Sequence, residues 1–150
     1  EEMLRQARTN LSERGLENVE LRLGTLEHLP VADGQADAMV ANMVLHHVAS
    51  PADALREARR GLRPGGRLVL ADLATHHEEE YREKLGDLWL GFAREDLESW
   101  LEGAGLELEE FHELDGGEGR PPVILLTARA PATEAPSHRR PALAGSSSEL

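Results

Sequence analysis

Two apolar segments flank a sharply marked helix, and this arrangement constrains the chain more than any other feature. Asp37-Ala38-Met39-Val40-Ala41-Asn42-Met43-Val44-Leu45 is nearly continuous apolar sequence, and Arg67-Leu68-Val69-Leu70-Ala71-Asp72-Leu73 repeats the pattern. Such runs, without polar alternation, predict strands covered on both faces, as in a parallel sheet. Between them, Ser50-Pro51-Ala52-Asp53 combines a capping hydroxyl, Pro at the first helical position and an acid in the first turn. Ala54, Leu55, Ala58 and Leu62 then fall on one helical stripe, and Pro64-Gly65-Gly66 breaks it. Strand, helix and strand in this order predict a βαβ unit with parallel strands and right-handed closure.

The flanking sequence supplies further elements. From Glu2 to about Arg14, Leu4, Ala7 and Leu11 recur at helical spacing, with Gly15 where a C-terminal cap belongs. Val19-Glu20-Leu21-Arg22-Leu23 predicts a short strand, and residues 24–36 an irregular connection. Later, Glu78 to about Leu90 and Glu95 to Ala104 predict two helices, the second ending at Gly105. Leu106 to Leu114 and Val123 to Thr127, joined across Asp115-Gly116-Gly117-Glu118-Gly119, predict an antiparallel hairpin. From Pro131 the chain is mostly Pro, Ala, Ser and Arg, which predicts a disordered tail over 131–150. The expected fold is α/β, the C-terminal part of a doubly wound sheet, mostly parallel with a C-terminal antiparallel hairpin.

At 150 residues the chain is one domain's worth of sequence. Its net charge of −12 argues against nucleic-acid binding through this segment. The cluster Arg59, Arg60 and Arg63 adjoins a helix carrying Asp53 and Glu57, and predicts a solvated helix face. No run approaches the ~18 apolar residues of a membrane span. With no cysteine, disulfides and thiolate chemistry are excluded, in keeping with a cytoplasmic protein. A helix opening at residue 1 with no cap before it predicts a start inside a larger protein.

In open α/β sheets, ligands bind at the carboxyl ends of the strands. That directs attention to Gly24–Leu26, Asn42–His47 and Asp72–His77. Three segments there are informative together: Gly24-Thr25-Leu26-Glu27-His28-Leu29-Pro30, Ala36 to Val48, and Leu62-Arg63-Pro64-Gly65-Gly66-Arg67-Leu68. In order and spacing they resemble the class I S-adenosylmethionine-dependent methyltransferases related to ubiquinone-biosynthesis enzymes. The resemblance runs from Glu1 to about Ala130. Gly86-Asp87-Leu88-Trp89-Leu90-Gly91-Phe92, after His76-His77-Glu78, further resembles methyltransferase domains that follow an ArsR-type winged-helix repressor.

This resemblance implies Rossmann-like architecture, S-adenosylmethionine as cofactor and a small-molecule methyl acceptor. It also implies that the first two strands, the Gly-rich loop and the ribose-binding acid precede Glu1. Met3 would then pack near adenine, Gly24, Thr25 and Leu26 would border it, and Asn42 would contact the cofactor. The family usually carries Asp where this chain has Thr25; an uncharged hydroxyl accepts a hydrogen bond more weakly. His46 and His47 would face the substrate side as candidates for a base, and Asp72 would lie at the same edge. His76 and His77 offer no spacing that fixes a metal with the first pair, so no metal site is expected. Trp89, Phe92 and Trp100 are expected in the core, or alternatively as a lid on the acceptor pocket. Methyl transfer is the leading expectation. A ligand-sensing module attached to an ArsR-type DNA-binding domain and an inactive fragment are the alternatives.

Overall fold

The computed structural model describes residues 2–132. Helix α1 spans Glu2–Glu13, strand β1 Ala36–Asn42, a 3-10 turn Leu45–His47, helix α2 Pro51–Gly61 and strand β2 Leu62–Leu73. A single π-helical turn, Tyr81–Leu85, precedes helix α3 (Arg94–Ala104), strand β3 (Glu107–Leu114) and strand β4 (Val123–Arg129). The four strands form one sheet in the order β1-β2-β4-β3. β1 and β2 are parallel, so the βαβ unit forms as its local signals require. β4 runs antiparallel to both β2 and β3. The α/β fold is therefore as expected, but the described sheet is mixed, with one parallel and two antiparallel pairs, and not mostly parallel.

Alternation along β2 decides where the core lies. Leu68, Leu70 and Asp72 point to one face and are buried, in register with Ala128, Leu126 and Ile124 of β4. α2 and α3 cover that face, contributing Ala54, Leu55 and Ala58, and Leu97 and Leu101. Burying a Leu of this kind is worth about 2 kcal/mol, so this layer holds the domain together. Ser50 caps α2 by accepting a hydrogen bond from the Asp53 N–H. α3 ends on Gly105 in the left-handed conformation, at φ 73°.

Four sequence expectations need correction. β1 is not covered on both faces among the described residues: Met39 and Ala41 are half-buried, and Val40 is 74% exposed. Val19–Leu23 forms no ladder, because no described strand lies beside it to accept its hydrogen bonds. The segment Pro64-Gly65-Gly66 does not separate two elements. It lies within β2, where the register against β1 slips between Ala36 and Ala38 and Gly65 takes a positive φ of 77°. The helix expected from Glu78 to Leu90 shrinks to the single turn Tyr81–Leu85, because Gly86 turns left-handed and Asp87 goes inward. The tail expected over 131–150 lies, beyond residue 132, outside the described residues.

Candidate functional site

At its carboxyl end β1 pairs Asn42 with Ala71, and the chain then turns abruptly. Met43 takes φ 52°, a left-handed conformation that costs a side-chain-bearing residue energy and is tolerated only where its surroundings enforce it. The enforcing contact is the Met43 N–H, which donates to the Ala71 carbonyl at 2.8 Å. The turn delivers the chain into the Leu45–His47 turn. His46 is thereby buried, while the His47 side chain stays 47% exposed.

Beneath the turn sits Asp72, fully buried. Its Oδ2 accepts from the Leu45 N–H at 2.8 Å, and its Oδ1 accepts from the Leu73 N–H at 2.8 Å. The same Oδ1 lies 2.6 Å from His46 Nδ1. An ionised carboxylate accepts only, so Nδ1 is the protonated nitrogen and Nε2 is left for another partner. That nitrogen faces Asp87 Oδ1 at 3.7 Å, and His47 Nδ1 lies 3.6 Å from the same oxygen. Asp87 is buried, yet neither of its carboxylate oxygens has a hydrogen-bond partner.

A backbone clasp holds Asp87 there. The N–H groups of Leu88 and Trp89 both donate to the His46 carbonyl, at 3.0 and 3.2 Å, and the Trp89 indole donates to the Val48 carbonyl at 2.9 Å. Trp89, Phe92 and Trp100 form an aromatic cluster with centroids 5.7–5.9 Å apart, Trp100 meeting the other two rings edge-to-face, and Phe92 joins it to the core.

The remaining candidates fall elsewhere. Met3 is 85% exposed on α1. Gly24 and Thr25 are exposed in a tight turn, where the Thr25 carbonyl accepts from the His28 N–H at 3.1 Å and a Cβ on Gly24 would stand 2.6 Å from Pro30 Cδ. Leu26 lines an apolar groove of about 240 Å³ with Leu29, Met39, Ala41, Leu45 and Leu55. Asn42 is exposed at the strand end. Asp72, expected at the substrate edge, is sealed from solvent, and its carboxylate contacts are the His46 ring and the Leu45 and Leu73 N–H groups. His76 is buried with Nδ1 2.7 Å from Glu78 Oε2, while His77 is exposed; neither joins the first pair. Asp87 is the residue that sequence reasoning left out of the site. Gly86, a natural helix stop, is the one signal that could have moved it from a helix face to a loop.

Two arginines of the basic cluster, Arg60 and Arg63, are paired with neighbouring acids. The Arg60 guanidinium donates to Glu57, to Asp33 and to the Val31 carbonyl, and Arg63 pairs with Asp37 at 2.7 Å. Glu57 also accepts from the Leu29 N–H at 2.9 Å, which ties the 24–31 loop to α2. The Arg60 guanidinium holds the Glu57 carboxyl below its ordinary value, against the opposing effect of burial.

Residues 1–70 match the family described as methyltransferase domain. An arsenite methyltransferase of Halobacterium salinarum is 39% identical over 72 residues, covering 48% of this chain and 18% of that protein. The ubiquinone/menaquinone biosynthesis C-methyltransferase UbiE of Azotobacter vinelandii is 28% identical over 142 residues, covering 77% of this chain and 56% of the relative. Over these stretches the chain resembles the class I methyltransferases. The crystal structure of YcgJ from Bacillus subtilis shares the fold of this chain, with a TM-score of 0.74 at 17% identity, over 87% of this chain and 79% of that one. The domain spans well under two thirds of the curated relatives it matches. Within the methyltransferase fold, the His46–Asp72–Asp87 arrangement lies at the carboxyl ends of β1 and β2, where ligands of open α/β sheets bind.

Proposed function

We propose that this chain is the C-terminal part of a domain that moves a methyl group from S-adenosylmethionine to a small-molecule acceptor. The observation that carries the reading is the strained turn at Met43, directly after Asn42, at the ligand edge of a methyltransferase fold. Backbone strain of this kind persists where a site must be held in shape. The cofactor supplies the reactive methyl on its sulfonium, and the protein supplies binding and orientation.

The residues present fit one flank of that cofactor. Asn42 would offer an amide at the strand end, Thr25 a hydroxyl for the adenine, and Leu26 apolar surface. Gly24 closes the turn that presents Thr25, and Met3 would cover the outer side of the ring. The ribose-binding acid and the Gly-rich loop belong, in this reading, to sequence before Glu1. The edge position of β1 in the described sheet supports that assignment, because further strands of the sheet would pair there. His46 and His47 would face the acceptor side in this reading, the half-exposed ring of His47 being the more accessible of the two.

Three finer assignments belong to the same proposal. An ArsR-type DNA-binding domain upstream rests on the Gly86–Phe92 segment, and a winged helix encoded before Glu1 is its test. Nucleic acid would be bound only by such a domain, since this segment carries a net charge of −12. A cytoplasmic location is checked by cell fractionation; among the described residues no helix is long and apolar enough to cross a membrane.

Calorimetry of the full-length protein with S-adenosylhomocysteine tests the reading. Saturable binding is expected, weakened by Asn42→Ala. No heat at millimolar ligand would sink it. The isolated 150-residue chain is expected to bind little or nothing, since it offers only one flank of the site.

A further inference from the structure

The buried Asp87 carboxylate is the one feature of this site that methyl transfer leaves unexplained. A carboxylate with no partner is among the costliest groups to bury, and proteins pair it, protonate it or give it a metal. Asp87 Oδ1 faces two imidazole nitrogens, His46 Nε2 and His47 Nδ1, at 3.7 and 3.6 Å, too far to be hydrogen bonds. Two ligand atoms bound to one ion at about 2.1 Å, at tetrahedral angles, stand about 3.4 Å apart. The gap is therefore wide for a proton and close to right for a cation. One ligand atom from each of the three residues lies within 4.8 Å of the others.

We propose that His46 Nε2, His47 Nδ1 and the Asp87 carboxylate hold one divalent first-row transition-metal ion, of the zinc, cobalt or iron(II) type. Two neutral imidazoles and one carboxylate, without thiolate, favour these ions over calcium or magnesium, which prefer all-oxygen shells. Asp72 completes the design from behind. By accepting from His46 Nδ1 at 2.6 Å it fixes the ring and directs Nε2 forward, the carboxylate–histidine–metal arrangement common in metal sites. The clasp of Leu88 and Trp89 N–H groups on the His46 carbonyl fixes Asp87 against the two rings before any ion arrives. Three protein ligands leave at least one coordination position, and the exposed side of His47 is where it opens.

The test uses full-length protein stripped with chelator and titrated with zinc chloride by calorimetry and with cobalt(II) chloride by visible absorption. One ion per chain is expected, at micromolar or tighter dissociation constant, with d–d bands of a low-coordinate cobalt site. Asp87→Asn and His47→Gln should each weaken binding at least tenfold, and Asp72→Asn by about 10- to 100-fold through the lost orienting bond. His28→Ala and His112→Ala, at exposed rings, should change nothing. Zinc should raise the Tm of the parent protein and not that of Asp87→Asn. If Asp87→Asn fails to fold, His47→Gln decides, because its ring lies at the surface. Absence of saturable one-to-one binding, or binding unchanged by His47→Gln, overturns the proposal. The measurement needs no S-adenosylmethionine, so its outcome is independent of the cofactor reading.

Discussion

His46 and Asp72 meet inside the domain at 2.6 Å, ring nitrogen to carboxylate oxygen, and the pair joins the ends of the two parallel strands. Asp72 belongs to β2 and His46 to the turn just beyond β1, so one side chain locks the turn that shapes the ligand edge. Replacing Asp72 with Ala would leave the Leu45 N–H and the His46 ring N–H buried without acceptors. We expect a loss of about 3 kcal/mol in urea unfolding, from these unsatisfied donors.

The capping hydroxyl of Ser50 is a smaller, local contribution. Ser50→Ala removes the acceptor for the Asp53 N–H at the start of α2 and should cost about 1 kcal/mol, with the site geometry unchanged. Unfolding curves with equal m-values for parent and variant would verify this.

Gly91 is expected to tolerate no side chain. Its φ is 74°, and a Cβ would stand 2.0 Å from the Ala74 carbonyl oxygen, at the point where Phe92 bridges back to Ala74. Gly91→Ala should destabilise the domain by at least about 2 kcal/mol, combining left-handed strain with displacement of that backbone. Because Phe92 carries the aromatic cluster, tryptophan fluorescence should shift to the red in the same variant.

Acid should loosen the 24–31 loop from α2. The Glu57 carboxyl is held below its ordinary value of 4.5, chiefly by Arg60, so its bonds contribute stability above that value. The contribution is lost as pH falls through the lowered folded-state value. Glu57→Gln should therefore lower the Tm at neutral pH and flatten its decline below pH 4.5. A parent and variant with parallel Tm profiles across that window would contradict the assignment.

How much of this was legible in the sequence depends on whether the signal was local. Ser50, Pro51 and Gly105 act on their own backbone, and the elements they bound form within a residue or two of expectation. Val19–Leu23 alternates correctly, but a strand needs a neighbour, and none of the described strands lies beside it. The stretch from Glu78 to Leu90 has helical composition, yet tertiary contacts prevail there. The His46 carbonyl takes the Leu88 and Trp89 N–H groups that a helix would have used internally. His46 and His47 were visible as a pair following a strand. Which of them turns inward, and that Asp87 meets both from 40 residues away, depends on the fold and leaves no mark in spacing.

The uncovered side of β1 also governs how this polypeptide behaves in a tube. Among the described residues β1 is an edge strand with Val40 open to water, and such a rim is a template for any other extended chain, its own copies included. Solubility, shelf life and the tendency to form sheet-rich precipitate should therefore worsen with concentration. A charged residue in place of Val40 would be the simplest remedy.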